Sequence, residues 1–415
     1  MKFSLYFFLF ALLMPFAVKA QIQGCTDPYA NNFNPNASIN DGSCIYDPTF
    51  YKPDVFVLLS EKVEETSGLI FWKGSLWTHN DSGGEAEIYK IDTATGEVVQ
   101  EIEIDKVTNI DWEDLAQDEE YIYIGDFGNN NGNRDDLRIY KVRKSDIPQS
   151  GNAEVDAQVI DFAYEDQKYS AKNKRSNNFD CEAMIIVGDS IFLFSKNWGD
   201  QQTKLYALPK IPGDYIAEKR FTFNIGGLVT GAGYNTEANE ISLCGYYNYV
   251  PFLYLLWDFQ DNAFFSGNKR RIDFPEIVTS QTEGIGYYNG KKVFISAEKT
   301  ATTSMRVYEL NTGNWTTAPA TKIEAILSKE VVFTIHPNPV KGRSFRINIS
   351  NLPQNGFELQ VYDSTGRLYY KGDYELKPQG KSIEIKFIAK YFNPGLYVIK
   401  ITSGQHYATR KVIIQ

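Results

Sequence analysis

A pattern that recurs five times between residues 54 and 327 constrains the fold of this chain more than any other sequence feature. Each unit places a polar or acidic residue before a small or apolar pair, then a turn, then an apolar strand that ends in a polar cluster. The five stretches are ETSGLIFWKGSLWTHNDSG, DWEDLAQDEEYIYIGDFGN, DCEAMIIVGDSIFLFSKNW, VTGAGYNTEANEISLCGYY and QTEGIGYYNGKKVFISAEK. Their equivalent positions are Ser67, Glu113, Glu182, Thr230 and Glu283, at intervals of 46, 69, 48 and 53 residues. Such a repeat predicts one large domain of similar units.

Each unit continues with two further strands, so the repeating element contains four. The third strand carries Tyr or another large apolar residue, as in AEIYKID, LRIYKVR, TKLYALP, FLYLLWD and MRVYELN. The fourth is more variable and is represented by VVQEIEI, AQVIDFA, RFTFNIG and RRIDFP. Four strands that recur at intervals of roughly 40 to 50 residues are typical of a β-propeller blade. The sequence therefore predicts an all-β fold with a propeller over residues 54–327.

The number of blades stays open between five and six at this point. Five units can be counted, and a sixth blade requires the strand near residues 55–59 together with pieces from the chain ends. The longest interval contains YEDQKYSAKNKRSNNFD, a polar stretch that predicts a surface insertion and is too short to be a blade. With inner strands such as DWEDLA, the domain is similar, at the level of class, to exported six-bladed phytase-like and strictosidine-synthase-like propellers.

The first 20 residues have the pattern of an export signal. A lysine at position 2 precedes an apolar run that ends near a small residue at position 20, where cleavage is expected. No later stretch reaches the roughly 20 apolar residues that a membrane span requires. We therefore predict that the mature chain begins near residue 21 and has no transmembrane span.

Two cysteines bracket a turn-rich segment within residues 21–46. In an exported chain, Cys25 and Cys44 are expected to form a disulfide, although IQGC also permits lipidation at Cys25. The stretch GCTDPYANNFNPNASINDGSC resembles a short module of surface proteins from bacteria with a type IX secretion system. Oxygen atoms of Asp27 and Asp41 are candidate Ca²⁺ ligands there, and a disulfide-closed spacer is the favoured interpretation.

Residues 333–415 predict a second domain, a small Ig-like β-sandwich. Short alternating strands such as SFRINIS, ELQVYDSTGR and GLYVIKI are separated by turns. The domain resembles the type IX secretion C-terminal sorting domain through HPNP at 336–339, VYD at 361–363, GLYV at 395–398 and KVIIQ at 411–415. The resemblance implies recognition by the type IX secretion machinery, passage through the outer membrane after Sec export, and removal of this domain. It also implies release from the cell or attachment to its outer surface.

Charge and cysteine content narrow the partners and the covalent chemistry. The net charge of −10 and the absence of a basic run argue against nucleic acids and anionic membranes, which bind basic patches. Cys181 and Cys244 lie in the propeller and form either a second disulfide or two buried thiols, and the thiols are favoured.

Candidate functional residues follow from the geometry of propellers, in which the first strand of each blade lines the central channel. Three of the five equivalent positions hold Glu113, Glu182 and Glu283, and such carboxylates repel one another unless a cation or protons neutralise them. Ca²⁺ is the expected cofactor, because it prefers oxygen ligands. A second polar set ends the second strands, either beside the same mouth or as turn residues: Asn80, Asp81, Asp126, Asn197 and Glu298.

Two functions remain open. The favoured one is a binding protein for an extracellular glycan, protein or small molecule. The alternative is a carboxylate-dependent hydrolase that uses Glu113, Glu182 and Glu283, either a Ca²⁺-dependent phytase-like phosphoesterase or a glycosidase. A phosphoesterase would need cations near the acids, for which Arg134 and Lys196 are candidates. Nucleophilic catalysis has little support, because the chain has only three histidines and a core position is the favoured role of the one in the propeller.

Overall fold

The computed structural model describes residues 21–167, 176–316, 332–342, 344–350, 356–363, 367–375, 382–388, 392–403 and 406–415. The predicted export signal lies outside these residues, as does part of the predicted surface insertion. The chain divides into two compact units, residues 1–318 and 319–415. Within the described parts of both units, no helix is long and apolar enough to cross a membrane.

The described part of the first unit contains five antiparallel four-stranded blades, which we number 1 to 5. Blade 1 comprises Thr66–Trp72, Ser75–Asn80, Glu87–Ile91 and Val98–Ile104. Blade 2 comprises Trp112–Gln117, Tyr121–Asp126, Arg138–Arg143 and Ala157–Tyr164. Blade 3 comprises Asp180–Val187, Ser190–Lys196, Thr203–Pro209 and Gly213–Phe223. Blade 4 comprises Leu228–Asn235, Glu240–Tyr247, Val250–Trp257 and Asn268–Asp273.

Blade 5 is completed by a strand from the other end of the unit. Its strands are Thr282–Asn289, Lys292–Ala297, Arg306–Asn311 and, from the start of the domain, Asp54–Leu58. The first strands of neighbouring blades contact one another in order, and blade 5 contacts blade 1, so the ring is closed. The fold is therefore a five-bladed β-propeller. The six-bladed alternative is wrong, because the strand near residues 55–59 is the outer strand of blade 5.

The inner strands of the blades are buried on both faces, which explains their long apolar runs. Between blades 1 and 2, Trp77 and Ile102 share one core cluster with Ile124 and Tyr140. Short helical turns occupy connections between strands. They are the 3₁₀ turns Glu61–Val63, Phe264–Ser266 and Pro275–Ile277, and the α-helical turn Gly313–Thr316.

The outer edges of four blades are paired, either with further strands or with one another. Ala153–Val155 adds a parallel strand to Val98–Ile104 of blade 1. The outer strands of blades 2 and 3, Ala157–Tyr164 and Gly213–Phe223, pair in parallel and merge the two blades into one eight-stranded sheet. Thr49–Phe50 pairs in parallel with the outer strand of blade 4. Pairing of this kind satisfies backbone groups that an edge strand would otherwise expose.

The four cysteines divide into one disulfide and two thiols. Cys25 and Cys44 form the expected disulfide. Lipidation of Cys25 would need its thiol, so that alternative is wrong. Cys181 and Cys244 are free and fully buried. The favoured interpretation of them as buried thiols is confirmed, and a second disulfide is excluded.

The segment closed by the disulfide packs against blade 4. Asn40 Nδ2 donates to Asp258 Oδ2 and to Asn268 Oδ1, both at 2.8 Å. Thr26 Oγ1 donates to the same Asp258 oxygen at 3.0 Å, and Lys269 Nζ donates to the Gly42 carbonyl at 3.0 Å. The segment is thus part of the propeller surface rather than only a spacer.

The two acids proposed as Ca²⁺ ligands in this segment have protein partners. Asp27 accepts hydrogen bonds from the Tyr29 amide at 2.9 Å and from the Tyr46 hydroxyl at 2.6 Å. Asp41 accepts one from the Ser43 amide at 3.0 Å. These bonds give both acids a role in turns. A Ca²⁺ site in the segment remains a prediction.

Removing the disulfide by Cys25→Ser and Cys44→Ser is expected to lower the free energy of unfolding by about 2 kcal/mol, because the open loop gains conformational entropy in the unfolded chain. Urea unfolding of the double variant and of the parent measures this difference. Reducing the parent with dithiothreitol should reproduce it. Identical unfolding curves for the oxidised parent and the variant would show that the disulfide does not stabilise the propeller.

The second unit is a two-sheet sandwich, as predicted. One sheet contains Val332–His336, Ser344–Ser350 and Ser382–Ile388. The other contains Gly356–Asp363, Leu368–Glu375, Gly395–Ser403 and His406–Ile414. Side chains from both sheets form a single core, including Phe345, Ile347, Leu359, Val361 and Ile399.

Candidate functional site

The candidate site lies at one mouth of the propeller channel, where first strands begin and second strands end. Here the first strands carry β-bulges, in which one residue has no partner across the pair. Glu113, Glu182 and Thr230 are the extra residues in blades 2, 3 and 4. In blade 1 the extra residue is Gly68, one position after the predicted equivalent Ser67. In blade 5 the irregularity spans Glu283 and the glycine that follows it. We call this end the acidic mouth.

The two hydroxyl residues of the predicted ring join neighbouring blades. Ser67 Oγ donates to the Glu113 carbonyl of the next blade at 2.6 Å. Thr230 Oγ1 donates to the Thr282 carbonyl at 2.5 Å. Both side chains are fully buried. These hydroxyls therefore tie inner strands together.

Five carboxylates form two overlapping groups at the acidic mouth. Asp81, Asp111 and Glu113 make one group, and Glu113, Asp180 and Glu182 make the other. Within each group, one oxygen from every residue lies within 4.8 Å of the others. Ca²⁺ binds oxygen at about 2.3 to 2.6 Å, so two ligands on opposite sides of one ion are about 5 Å apart. Each group thus has the spacing of oxygens around a single cation, with Glu113 common to both.

The glycine at position 128 makes room for this arrangement. A Cβ atom there would lie 2.1 Å from Glu113 Oε1 and 2.4 Å from Asp111 Oδ2. The Gly128 amide also donates to the Asp111 carbonyl at 3.1 Å, which fixes the backbone beside the acids. Any larger residue would therefore displace the two carboxylates.

The members of the second predicted set have different surroundings. Asp126 accepts hydrogen bonds from Arg134 Nη2 at 3.0 Å and from the Asp111 amide at 3.2 Å. Asn197 accepts one from Ser195 Oγ at 2.6 Å, and Asn80 Nδ2 donates to the Lys62 carbonyl at 2.9 Å. These three residues thus support loops around the mouth, whereas Asp81 belongs to one of the two groups of carboxylates.

Two acids from blade 5 extend the negative charge. Glu283 is buried, and its burial, followed by the charge of Glu298, raises the pKa of its carboxyl well above the ordinary value. Burial and the charge of Asp81 raise the pKa of Glu298 to about 8. Among the described residues, Glu283 lies outside both groups of carboxylates. When ionised, its charge raises the pKa of Glu182.

The negative charges of the acids in blades 1 to 3 raise one another's pKa values. Burial, and then the charges of Asp81 and Asp180, raise the pKa of Asp111 to about 7. Burial and the nearby Glu182 raise the pKa of Glu113 well above its ordinary range. A bound cation would relieve these unfavourable charges by stabilising the ionised carboxylates.

A buried lysine partly neutralises the acidic mouth. Lys196 Nζ contacts both carboxylate oxygens of Glu182, with 2.5 Å to Oε1. Burial alone would lower the pKa of this ammonium, but the Glu182 carboxylate more than offsets it, and the pKa lies above its ordinary value. Trp198 and Tyr246 flank the ammonium, with ring centres 5.0 and 5.6 Å from Nζ. Burial raises the pKa of the Glu182 carboxyl well above its ordinary value, and the charge of Lys196 acts against this rise.

Sequence reasoning missed Asp111 and Asp180, although a signal for both exists. Each precedes a predicted ring residue by two positions, in the triplets Asp-Trp-Glu at 111–113 and Asp-Cys-Glu at 180–182. Residues two apart on a strand share a face, so the pair can be aimed at one point. Asp180 Oδ2 accepts a hydrogen bond from Trp198 Nε1 at 2.7 Å, and its Oδ1 accepts one from the Asn129 amide at 2.7 Å.

The histidine in the propeller is a core residue, as favoured. His79 is fully buried, and burial lowers the pKa of its imidazole to about 4. Its Nδ1 lies 2.9 Å from the Asn80 carbonyl, and its ring packs edge-on against Trp112 with centres 5.6 Å apart. The imidazole is therefore neutral at physiological pH.

The second unit decides where this site operates. Residues 334–415 match the family model of the secretion system C-terminal sorting domain. The tail is a type IX sorting domain. This sorting domain sends the chain out of the cell, either as a secreted protein or to the outer-membrane surface, and implies contact with the secretion machinery. The type IX destination predicted from the sequence is thus confirmed.

Other comparisons concern the whole chain. No curated protein matches its sequence. Among solved structures, a nidogen/laminin complex has 12% identity and a TM-score of 0.35, covering 60% of this chain and 86% of that chain. An exo-beta-1,3-galactanase from Phanerochaete chrysosporium with galactose has 10% identity and a TM-score of 0.38, covering 88% and 98%. A putative 6-phosphogluconolactonase from Bacteroides uniformis has 10% identity and a TM-score of 0.33, covering 79% and 90%. At these values the similarities carry no information on ligand or reaction.

The disulfide agrees with the export route that the sorting domain indicates. A disulfide such as Cys25–Cys44 persists in oxidising compartments outside the cytoplasm. The disulfide is thus suited to a protein that acts outside the cell.

Proposed function

We propose that this exported propeller binds a divalent cation at its acidic mouth, and that its extracellular ligand binds there. The observation that carries the proposal is the pair of carboxylate groups that share Glu113, each with the oxygen spacing expected around one ion. Ca²⁺ is the expected cation, because all of these ligands are hard oxygen donors. The module resemblance of residues 24–44 supports a surface protein of the same kind.

The balance of charge at the acidic mouth supports neutralisation of the carboxylates by a bound cation rather than by protons alone. Lys196 is the only basic side chain in ionic contact with the two groups among the residues described. Its positive charge faces seven acids around the mouth: Asp81, Asp111, Glu113, Asp180, Glu182, Glu283 and Glu298. A divalent ion would offset part of the remaining negative charge at the point where it is densest.

A phosphoesterase is less well supported by the contacts of the two candidate cations. Arg134 donates to Asp126 at 3.0 Å and to Asp136 at 2.9 Å. Lys196 is held by Glu182. A phosphate would therefore meet carboxylates rather than free cations, and the net negative field would repel it. The same field favours a neutral ligand, such as a glycan or a protein surface rich in hydroxyl groups.

A glycosidase remains the second candidate function, because one observation favours it. The pKa of Asp111 is raised to about 7, and this carboxyl is partly exposed, so it could carry a proton near neutral pH. However, glycosidases separate their two carboxyls by roughly 5 to 9.5 Å around the sugar linkage. In the groups described, oxygens from three carboxylates lie within 4.8 Å of each other. This crowding favours a shared cation over an acid and base pair.

Calorimetric titration with CaCl₂ tests the proposal on the chain from residue 21 onward. The parent is compared with Glu113→Gln, which removes the ligand common to both groups, and with the matched control Glu283→Gln, which lies in neither group. We expect a parent dissociation constant of about 10⁻⁴ to 10⁻³ M. We expect Glu113→Gln to weaken binding at least about tenfold, and the control to change it by less than about threefold.

Equal losses in both variants would mean that general negative charge, and not a coordinated ion, attracts Ca²⁺. No binding by the parent would refute the metal site and would make the glycosidase the next hypothesis to test. Release of reducing sugar from a panel of polysaccharides, compared between the parent and Asp111→Asn, would then decide whether the acids are catalytic.

A further inference from the structure

The opposite mouth of the propeller contains a cavity of ligand size. Its volume is about 810 Å³, and its walls come from blades 2, 3, 4 and 5. Small-molecule sites in proteins usually enclose about 300 to 1,000 Å³. The lining residues that matter here are Gln117, Lys144, Tyr234, Thr236, Tyr287 and Tyr288. We call this space the basal cavity.

The basal cavity is separated from the acidic mouth by the channel core. The first strands run from one mouth to the other, and their middle residues enclose a space of only about 80 Å³. Leu69, Leu115, Met184, Ala232 and Ile285 are among the residues that line it, and the space is too small for an organic ligand. A molecule in the basal cavity therefore cannot reach the carboxylate groups, so the two mouths are distinct sites.

The floor of the basal cavity carries a buried cation without an anionic partner. Lys144 is 9% exposed. Its Nζ donates to Gln117 Oε1 at 2.8 Å and to the Asp118 carbonyl at 2.6 Å, and both acceptors are neutral. The Asp118 carboxylate is engaged elsewhere, by Lys210 Nζ at 3.0 Å and Tyr123 Oη at 2.9 Å. Within the described chain, no carboxylate lies at ion-pair distance from Lys144. An ammonium has three N–H donors, and the third has no oxygen acceptor among the described residues. The Trp72 ring lies beside it, with its centre 5.5 Å from Nζ, and a ligand anion would be a stronger acceptor than this ring.

The walls of the basal cavity are aromatic. Tyr287 Oη is engaged by Glu240 at 2.8 Å, and Tyr234 Oη donates to Asn239 at 3.0 Å. The Tyr288 ring is stacked on Phe294 with centres 4.0 Å apart. With their hydroxyls occupied, the tyrosines offer rings rather than polar atoms. Flat apolar groups pack well against such rings.

We propose that the basal cavity binds a small organic anion that has a flat apolar body and one carboxylate or sulfonate group. The anionic group would pair with Lys144, and the body would lie against the tyrosines. Three acids, Asp118, Glu119 and Glu237, also line the cavity. The Asp118 carboxylate is paired with Lys210, and Glu119 and Glu237 are exposed to solvent. Water and salt screen their charges, whereas the buried ammonium acts at short range and with little screening. The proposal is independent of the cation at the acidic mouth.

Two fluorescent probes of the same shape test this proposal on the chain from residue 21 onward. Anilinonaphthalene sulfonate carries the anionic group, and N-phenylnaphthylamine has the same ring system without it. We expect the parent to bind both probes, and the sulfonate at least about tenfold more tightly, as for a hydrogen bond to a charged group. Lys144→Met should remove this preference while leaving the neutral probe within about twofold of the parent. The matched control is Lys73→Met, an exposed lysine at the same end of the propeller.

A blocking variant keeps the test decisive if Lys144→Met does not fold. Thr236→Trp places a large ring at an exposed turn that lines the basal cavity, and it should weaken both probes at least about tenfold. The proposal is overturned if the parent binds the two probes equally. It is also overturned if Thr236→Trp leaves sulfonate binding unchanged, or if Lys73→Met lowers it as much as Lys144→Met.

Discussion

Replacing Asp114 with alanine is expected to lower the free energy of unfolding by about 4 kcal/mol, because buried backbone amides would lose their acceptor. Asp114 is fully buried and follows the bulge at Glu113. It accepts hydrogen bonds from the Leu115 amide at 2.8 Å and from the Met184 amide of the next blade at 2.7 Å. The Ala232 amide of blade 4 also contributes. One carboxyl thus joins the inner strands of three blades, and the cost follows from unpaired donors in the channel core.

Urea unfolding of Asp114→Ala beside the parent measures this loss. Asp114→Asn should cost about half as much, because its carbonyl oxygen can still accept from one or two of the amides. Asp189→Ala, at an exposed turn of blade 3, is the matched control and should change stability by less than about 0.5 kcal/mol. A loss below about 1 kcal/mol in Asp114→Ala would mean that water or a rearranged loop replaces the acceptor.

The local sequence pattern was sufficient to predict a propeller, but it did not show which strand completes the last blade and closes the ring. Each blade is a meander of neighbouring strands, so the alternation of apolar and polar residues within about 50 residues specifies it. The strand Asp54–Leu58 has the same pattern whether it completes blade 5 or begins another blade. Only its pairing with Arg306–Asn311, far away in the sequence, distinguishes the two. The docking of Asn40 on Asp258 has the same long-range character.

The repeat likewise predicted part of the candidate site. Glu113 and Glu182 follow from their equivalent positions, because every blade presents its first strand to the channel. Asp111 and Asp180 each precede one of these positions by two residues, and the structure brings their carboxylates beside the glutamates. The sequence makes Lys196 a candidate partner for phosphate. Its contact with Glu182 depends on the pairing of the first two strands of blade 3. Residue types at the mouth were thus predictable, but their partners were not.

In the absence of metal, the chain is expected to be more stable at pH 5.5 than at pH 8. The pKa values of Asp111 and Glu298 are raised to about 7 and about 8, chiefly by burial. A carboxyl whose folded pKa exceeds its unfolded value favours the folded state when protonated. Its contribution is complete below the unfolded pKa near 4 and is lost as pH rises through 7 and 8. We expect a loss of about 3 kcal/mol, after allowance for screening, and a fall in Tm of roughly 6 °C.

Thermal unfolding in EGTA at the two pH values measures this effect, and Ca²⁺ should act against it. The ion binds ionised carboxylates, so 10 mM CaCl₂, a concentration of about ten or more dissociation constants, should add about 2 kcal/mol at pH 8 and little at pH 5.5. Glu298→Gln should reduce the pH dependence by roughly half or more, because Glu298 has the higher pKa of the two carboxyls and titrates over more of this range. The exposed Glu218→Gln is the control and should leave the dependence unchanged. A Tm that rises from pH 5.5 to pH 8 in EGTA would show that the acids are ionised without cost, and the electrostatic reason for a bound cation would then fail.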